Sequence, residues 1–358
     1  MKNHRILVIN VGSTSTKMAY FIGTKPLMNE MIKYDSEDML RYHSLTKQLP
    51  RRKDDMLALL EKKKVELNTL DVIISRGGPG KPGPAGVYAI NKIMCDDLLD
   101  GKYGEHPSSL GPAIALEMSI QLNIPAIVID PPSTDEFQNL ARISGLPNVE
   151  RKSAFHALNQ KAAARRAAYD LGMRYEEINL VVAHLGGGIT VGAHQEGKVI
   201  DCNNGLSEGP FTPERAGSLP TFDVIDLMVS GELDKEQLKK KLVGQGGLTA
   251  YLGTADAGKI EERIKSGDTQ AEMIFAAMAY QVAKDIGAMF AVLRGNVRGI
   301  VLTGGLAHSD LFTHWIQEWV GSLAPVFIYP GEDEMKALAE GAIRAMKGEL
   351  TIQCYNNL

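Results

Sequence analysis

A strand that runs into a polar, glycine-bearing turn and out into a second strand occurs twice in this chain. That repetition limits the fold more than any other feature. The first copy starts with the apolar, β-branched run at residues 6–9, which has the length of a buried strand. It passes through Asn10, Gly12, Ser13, Thr14, Ser15, Thr16 and Lys17 into the apolar run 18–22. The second copy starts at 179–183, passes through His184, Leu185, Gly186, Gly187 and Gly188, and continues as 189–192 and 199–202. Gly12 allows a tight turn and close approach of a ligand. The hydroxyls and free N–H groups beside it could cradle phosphate oxygens, with Lys17 neutralising them. The Walker pattern is absent, and taken alone the first turn reads equally well as an ordinary polar hairpin turn.

The chain has 358 residues, more than one hydrophobic core usually serves, so two domains are expected. Their predicted extents are 1–150 and 151–334, with a last helix over about 335–358 returning to the first domain. Charge sums to 39 − 43 = −4, which argues against a nucleic-acid partner held by bulk charge. The three cysteines, Cys95, Cys202 and Cys354, show no metal or disulfide spacing and read as reduced thiols of a cytoplasmic protein. A strand begins almost at once, leaving no room for a signal peptide. No apolar run reaches the about 20 residues of a membrane span, so no membrane partner is expected.

Between the two glycine turns the pattern predicts a strand at 28–34, a helix at 54–66, a strand at 72–75, helices at 92–99 and 113–122, a strand at 126–129 and an alanine-rich helix at 153–168. After the second turn come a long, nearly apolar helix at 271–293 and strands at 299–302 and 326–329. Strand–turn–strand units repeated once per half fit an α/β protein of two actin-like (ribonuclease H-like, duplicated βββαβα) domains flanking a nucleotide cleft. That assignment is by analogy.

A third glycine turn, Thr303-Gly304-Gly305, stands where a strand gives way to a helix. Alone it is better explained as a plain strand–helix turn. Three glycine turns at strand ends, at 12, 186–188 and 304–305, together suit one bound nucleotide. Arg76 and Arg215 both lie in Gly/Pro-rich loops. Each alone reads as a surface cation, and brought together they would form a planar clamp for oxyanions. His106, His156 and His184 each fall beside a proposed ligand loop, with a core or helix-cap role as the competing account. Asp130 follows a buried strand directly, a suitable place for a carboxylate that holds magnesium through water. Glu332, Asp333 and Glu334 read equally well as metal carboxylates or as helix N-terminal charges.

With these residues assembled, the chain resembles the acetate and butyrate kinase family of carboxylate kinases. The resemblance spans residues 6 to about 345. It rests on Asn10 to Lys17, Ser75-Arg76-Gly77-Gly78, His106-Pro107, Phe155-His156, His184-Leu185-Gly186-Gly187-Gly188, Arg215-Ala216-Gly217-Ser218 and Thr303-Gly304-Gly305. Within the family it is similar to butyrate kinases, having three glycines after His184-Leu185, the segment Asp130 to Phe137, and a shorter chain. Gly78 stands where acetate kinases tend to place a bulkier apolar residue, which would leave room for a longer acyl chain.

The resemblance implies reversible transfer of the ATP γ-phosphoryl to butyrate or a related short or branched acid, with ATP/ADP and Mg2+ as cofactors and a homo-oligomeric assembly. It implies that Arg76 and Arg215 neutralise substrate and phosphoryl oxygens, that His156 donates to the group in flight, and that Asn10 and Asp130 position phosphoryl and metal. Magnesium would be held near Asp130 and Glu334. His106, Gly78 and Phe155 would flank the substrate. Gly12, Ser13, Ser15, Lys17, His184, Gly186, Gly187, Gly188, Asp256, Gly304 and Gly305 would contact the nucleotide. Acetate or propionate as substrate is the near alternative. A non-catalytic nucleotide switch would not need two loop arginines plus His156, and a sugar kinase would want an aspartate general base.

Overall fold

The first glycine turn is shorter than its sequence suggests. Asn10 pairs with Lys17 and Val11 with Thr16 across an antiparallel ladder, so only residues 12–14 remain as the turn. The computed structural model describes residues 3–42 and 44–358. Its strands are β1 (Arg5–Val11), β2 (Ser15–Ile22), β3 (Lys25–Lys33), β4 (Val72–Ser75), β5 (Val87–Ala89), β6 (Ala126–Ile129), β7 (Asn179–Leu185), β8 (Ile189–Gln195), β9 (Lys198–Cys202), β10 (Gly299–Gly304), β11 (Val326–Pro330) and β12 (Ile352–Cys354).

They form two mixed sheets, ordered β12-β5-β6-β4-β1-β2-β3 and β11-β10-β7-β8-β9. The run β6-β4-β1-β2-β3 of the first matches β11-β10-β7-β8-β9 of the second, strand for strand. In both, the opening hairpin is antiparallel and the later strands add in parallel. β1 and β7 are buried along almost their whole length, as central strands covered on both faces must be.

One compact unit is the chain up to Asp135 with Asp333–Leu358; the other is Glu136–Glu332. The division falls ahead of the expected residue 150 because the segment that follows it is anchored in the second unit. Glu136 pairs with Lys161 at 2.8 Å. Phe137 is buried with Phe155, Val199 and Cys202, and Arg151 pairs with Asp201 and Glu208.

In the second unit the helix Ala157–Asp170 lies on β7 and β10, and Thr269–Val292 lies on β7 and β8. Ala271, Phe275, Met278, Ala279, Val282 and Ile286 form the buried stripe of the long helix, at helical spacing. In the first unit the helix Glu334–Met346 lies on β1, β4 and β6. The expected helix over about 335–358 ends early. Gly348 takes a left-handed φ of 75°, and the chain then adds β12 beside β5. Both short strands escape the sequence pattern, β5 because it is three residues long behind a Gly/Pro loop. No helix among the described residues is long and apolar enough to cross a membrane.

Candidate active site

The turn at the β1–β2 junction is braced from behind by a residue that the sequence pattern does not single out. Arg52, fully buried on the helix Leu49–Lys62, donates Nη2 to the Ser13 carbonyl at 2.8 Å. Its Nη1 reaches the Ser15 carbonyl and Thr16 Oγ1, each at 3.1 Å. Gln48 Oε1 accepts from Nε and Nη2, and the guanidinium lies 4.6 Å over the Tyr34 ring. A cation thus sits beneath Ser13 and Ser15, and burial lowers its pKa from the ordinary arginine value. The sequence signal was an arginine just ahead of the predicted helix at 54–66, with no apolar periodicity to mark it.

Asn10 lies at the end of β1, and its Nδ2 donates to Glu334 Oε2 at 2.6 Å. Arg76, after β4, pairs through Nε with Glu334 Oε1 at 3.2 Å. Lys17 is directly opposite Asn10 and so shares its face of the sheet. Asp333 is used as a helix cap, accepting from Lys336 N–H. Of the neighbouring acids Asp333 and Glu334, therefore, Glu334 joins the first unit's candidate site. Asp130 follows β6 with a φ of 39°, a strained value for a non-glycine residue. It is buried, and its Oδ1 accepts from Gly86 N–H. Asn10, Asp130 and Glu334 offer oxygen donors without thiolate or imidazole, which suits magnesium. Among the described residues no three His, Cys, Asp or Glu side chains cluster as a metal cage.

His106 caps the short helix Pro107–Ser109, its Nδ1 accepting from Ser108 N–H. Burial, and then the Arg76 charge, lower its pKa and favour the neutral ring. The proton is then on Nε2, because Nδ1 is the acceptor. Gly78 departs from expectation. A Cβ there would lie 2.9 Å from Ser109 Cα, so the glycine serves close packing and does not vacate a side-chain-sized space. It does line a small apolar pocket with Gly77, Tyr88, Val128, Pro131 and Leu358.

In the second unit, β7 delivers His184 and the Gly186–188 turn. His156 and His184 stack with ring centroids 3.8 Å apart. His184 Nδ1 meets Asn159 Oδ1 at 2.7 Å and Nε2 meets Glu332 Oε1 at 3.0 Å. Both nitrogens are engaged, so a phosphate could reach Nε2 only after Glu332 releases it. Glu332 was not separated from its acidic neighbours in the sequence. Phe155, expected beside the substrate, is buried with Phe137, Ala157, Val199 and Cys202.

Arg215 is fixed through its backbone, where Thr212 Oγ1 accepts from its N–H and Thr212 N–H donates to its carbonyl. Thr212 Oγ1 in turn donates to the Gly187 carbonyl at 2.6 Å. The guanidinium lies against Gly188, where a Cβ would come within 2.7 Å of Cζ, and donates to the Gly205 carbonyl. It has no ion-pair partner among the described residues. Burial is the main influence on its pKa and lowers it, against the opposing charge of Glu214.

Gly186, Gly187, Asp256 and Gly305 line one open cavity, together with Glu214 and His308. Four of the expected nucleotide residues are thus gathered within one unit. Asp256 also caps the helix Ala257–Lys265 through Gly258 and Lys259 N–H. Gly304 has a φ of 93°, and a Cβ there would press into Leu185's carbonyl, so the β10 end requires glycine.

Residues 147–314 match the model of the acetokinase family. An acetate kinase of Porphyromonas gingivalis aligns with a TM-score of 0.78 at 18% identity, covering 96% of this chain and 100% of that one. An acetate kinase of Entamoeba histolytica gives 0.75 at 17%, covering 95% and 99%. A propionate kinase of Francisella tularensis subsp. tularensis gives 0.73 at 17%, covering 94% and 98%. These likenesses show the fold: the duplicated sheets are those of the actin-like architecture.

Proposed function

We propose that this chain, which carries an acetokinase-family region, is an ATP-dependent carboxylate kinase that passes a phosphoryl group reversibly between ATP and butyrate or a related short-chain acid. The observation that carries the proposal is Arg215: a half-buried guanidinium, laid over a glycine turn and met by a carbonyl but, among the described residues, by no carboxylate. Such a group is a receptor for an oxyanion.

The chemistry suits the residue set. A carboxylate substrate is ionised at pH 7 and needs no general base. The barrier lies in bringing an anion to a polyanion, and it is lowered by cations and N–H donors aimed at the transferring group. Arg215 and His156 would serve the phosphoryl oxygens, and Arg76 with neutral His106 would serve the carboxylate. The 12–14 turn, backed by Arg52, would add the Ser13 and Thr14 N–H donors, with Ser15 and Lys17 beside it. The Gly186, Gly187, Asp256 and Gly305 cavity would take the nucleotide. His184, Gly188 and Gly304, in the same unit, would complete the nucleotide contacts. Magnesium supplies charge neutralisation between phosphate oxygens when bound; Asp130 and Glu334 would hold it, with Asn10 orienting Glu334.

Butyrate is preferred to acetate or propionate on the three glycines after Leu185 and the segment from Asp130 to Phe137. The Gly78 side-chain argument no longer contributes. Cytoplasmic location and a homo-oligomeric state belong to the same proposal. The test is hydroxamate formation from MgATP, hydroxylamine and a panel of two- to five-carbon acids. Butyrate or a branched homologue should give the highest kcat/KM. No product with any acid refutes the kinase function, and a clear acetate or propionate preference refutes the butyrate assignment.

A further inference from the structure

Behind His156 the second unit holds a row of buried polar side chains that the chemistry above leaves unused. His156 Nδ1 is 2.9 Å from Thr190 Oγ1. Gln160 Nε2 is 2.8 Å from that oxygen and 2.9 Å from the Thr190 carbonyl. Gln160 Oε1 is 3.0 Å from His194 Nε2, and His194 Nδ1 is 2.7 Å from Tyr175 Oη. Thr190, Gln160 and His194 are completely buried. We propose that Tyr175, His194, Gln160 and Thr190 are positioning residues that hold His156 in the tautomer with its proton on Nε2. The proposal rests on the phosphoryl-transfer function assigned to His156 above.

The direction of every bond follows from one atom. The Thr190 carbonyl can only accept, so the group facing it must be the Gln160 NH2. One amide hydrogen goes to that carbonyl and the other to Thr190 Oγ1. The far end of Gln160 is then its oxygen, which requires a hydrogen on His194 Nε2. His194 Nδ1 is left as an acceptor for the Tyr175 hydroxyl. At the other end, Thr190 Oγ1 already accepts from Gln160, and more distantly from His156 N–H at 3.4 Å. Its own hydrogen therefore goes to His156 Nδ1, which places the ring's proton on Nε2.

The surroundings keep the row from reversing. Burial, reinforced by the charges of Lys161 and Arg165, holds His194 well below the ordinary histidine pKa, so it stays neutral with a single ring hydrogen. Gly192 keeps the Gln160–His194 contact open, since a Cβ there would come within 2.5 Å of Gln160 Oε1. A neutral, Nε2-protonated His156 can donate to a phosphoryl oxygen without first losing or gaining a proton. The opposite tautomer would present a lone pair to an anion.

The test reads the His156 ring directly, in the full chain labelled with 15N-histidine, by long-range 1H–15N correlation at neutral pH. In the wild type, Nδ1 should show a pyridine-type shift and Nε2 a pyrrole-type shift. Thr190→Val and Gln160→Met should each move both shifts toward an exchange average. Each should also lower kcat about tenfold while leaving KM for MgATP within about twofold, the effect of losing one orienting hydrogen bond. Thr190→Ser should keep the wild-type shifts and rate. A wild-type His156 carrying its proton on Nδ1 overturns the proposal, whether or not either variant folds. So does a Thr190→Val protein with unchanged shifts and kcat. The shifts are independent of turnover, so failure of the kinase assignment would show separately, as absence of hydroxamate in the wild type.

Discussion

Replacing Arg52 by Met probes the brace beneath the first glycine turn. Arg52 is fully buried and bonds to Ser13, Ser15, Thr16 and Gln48. Methionine keeps much of the volume and removes every donor. Two of the abandoned acceptors, Thr16 Oγ1 and Gln48 Oε1, are within buried contacts, and an unsatisfied buried acceptor costs about 1–3 kcal/mol. The carbonyls of Ser13 and Ser15 are in part-buried contacts, where water can replace some of the loss. Relief from desolvating the guanidinium works the other way. The balance is a loss of about 3 kcal/mol, a large fraction of the about 5–15 kcal/mol that stabilises a typical protein. Urea unfolding should show a lower midpoint with an unchanged slope. Amide exchange across residues 12–16 should quicken, starting with the Gly12 N–H that bonds the Ser15 carbonyl. Arg52→Lys should fall between the two, keeping the charge and losing the fork. Stability within about 0.5 kcal/mol of wild type for Arg52→Met, with unaltered exchange in the turn, would refute the bracing role.

Arg76→Ala and Arg215→Ala should each lower kcat about 10²-fold or more, roughly 3 kcal/mol of transition-state stabilisation, and steady-state kinetics on butyrate reads this; near-normal turnover in both removes the arginines from the chemistry. Gly188→Ala should displace the Arg215 guanidinium, whose Cζ lies 2.7 Å from the added Cβ. It should lower kcat by about the same factor while the melting temperature moves little, because the clash is with the end of a flexible side chain. Asp285 has a buried Oδ2 without a hydrogen-bond partner among the described residues, and burial pushes its carboxyl from 3.8 up to about 6. The folded state binds that proton more tightly than the unfolded chain, so this group's contribution to stability falls as pH rises from about 4 to about 6 and stays low above that. Asp285→Asn should raise stability at pH 7.5 by up to about 3 kcal/mol and flatten that slope in thermal melts taken across the pH range.

Much of the architecture was legible because strand–turn–strand periodicity is a local property. The strands at 72–75 and 126–129 and the helix at 92–99 coincide with their expected bounds. β5 and β12 were not legible, since each is three residues long and exists by pairing with its partner. Within the site, glycine turns and loop arginines are conspicuous in a sequence, whereas the tasks of individual side chains depend on what packs beside them. Gly78 is an example: its missing Cβ is explained by Ser109, a neighbour 31 positions along the chain. Glu332, Asp333 and Glu334 show the same limit. One meets His184, one caps a helix and one meets Asn10 and Arg76, and nothing local distinguishes the three.

The placement of cations bears on the function independently of any resemblance. Away from the proposed site, two partly or wholly buried cations have carboxylate partners: Arg151 has Asp201 and Glu208, and Lys161 has Glu136. That is expected, because burying an uncompensated charge is costly. Arg215 and Arg52 differ from these two. Each is directed to backbone carbonyls or neutral side chains, and each has its pKa lowered chiefly by burial. Both stand at a glycine turn of an opening hairpin, Arg52 behind residues 12–14 and Arg215 over Gly188. A fold selected for stability alone would be expected to pair or replace such groups. Their placement at equivalent turns of a duplicated architecture is accounted for if an anion completes the charge balance during function, as the phosphates of a nucleotide and a carboxylate substrate would.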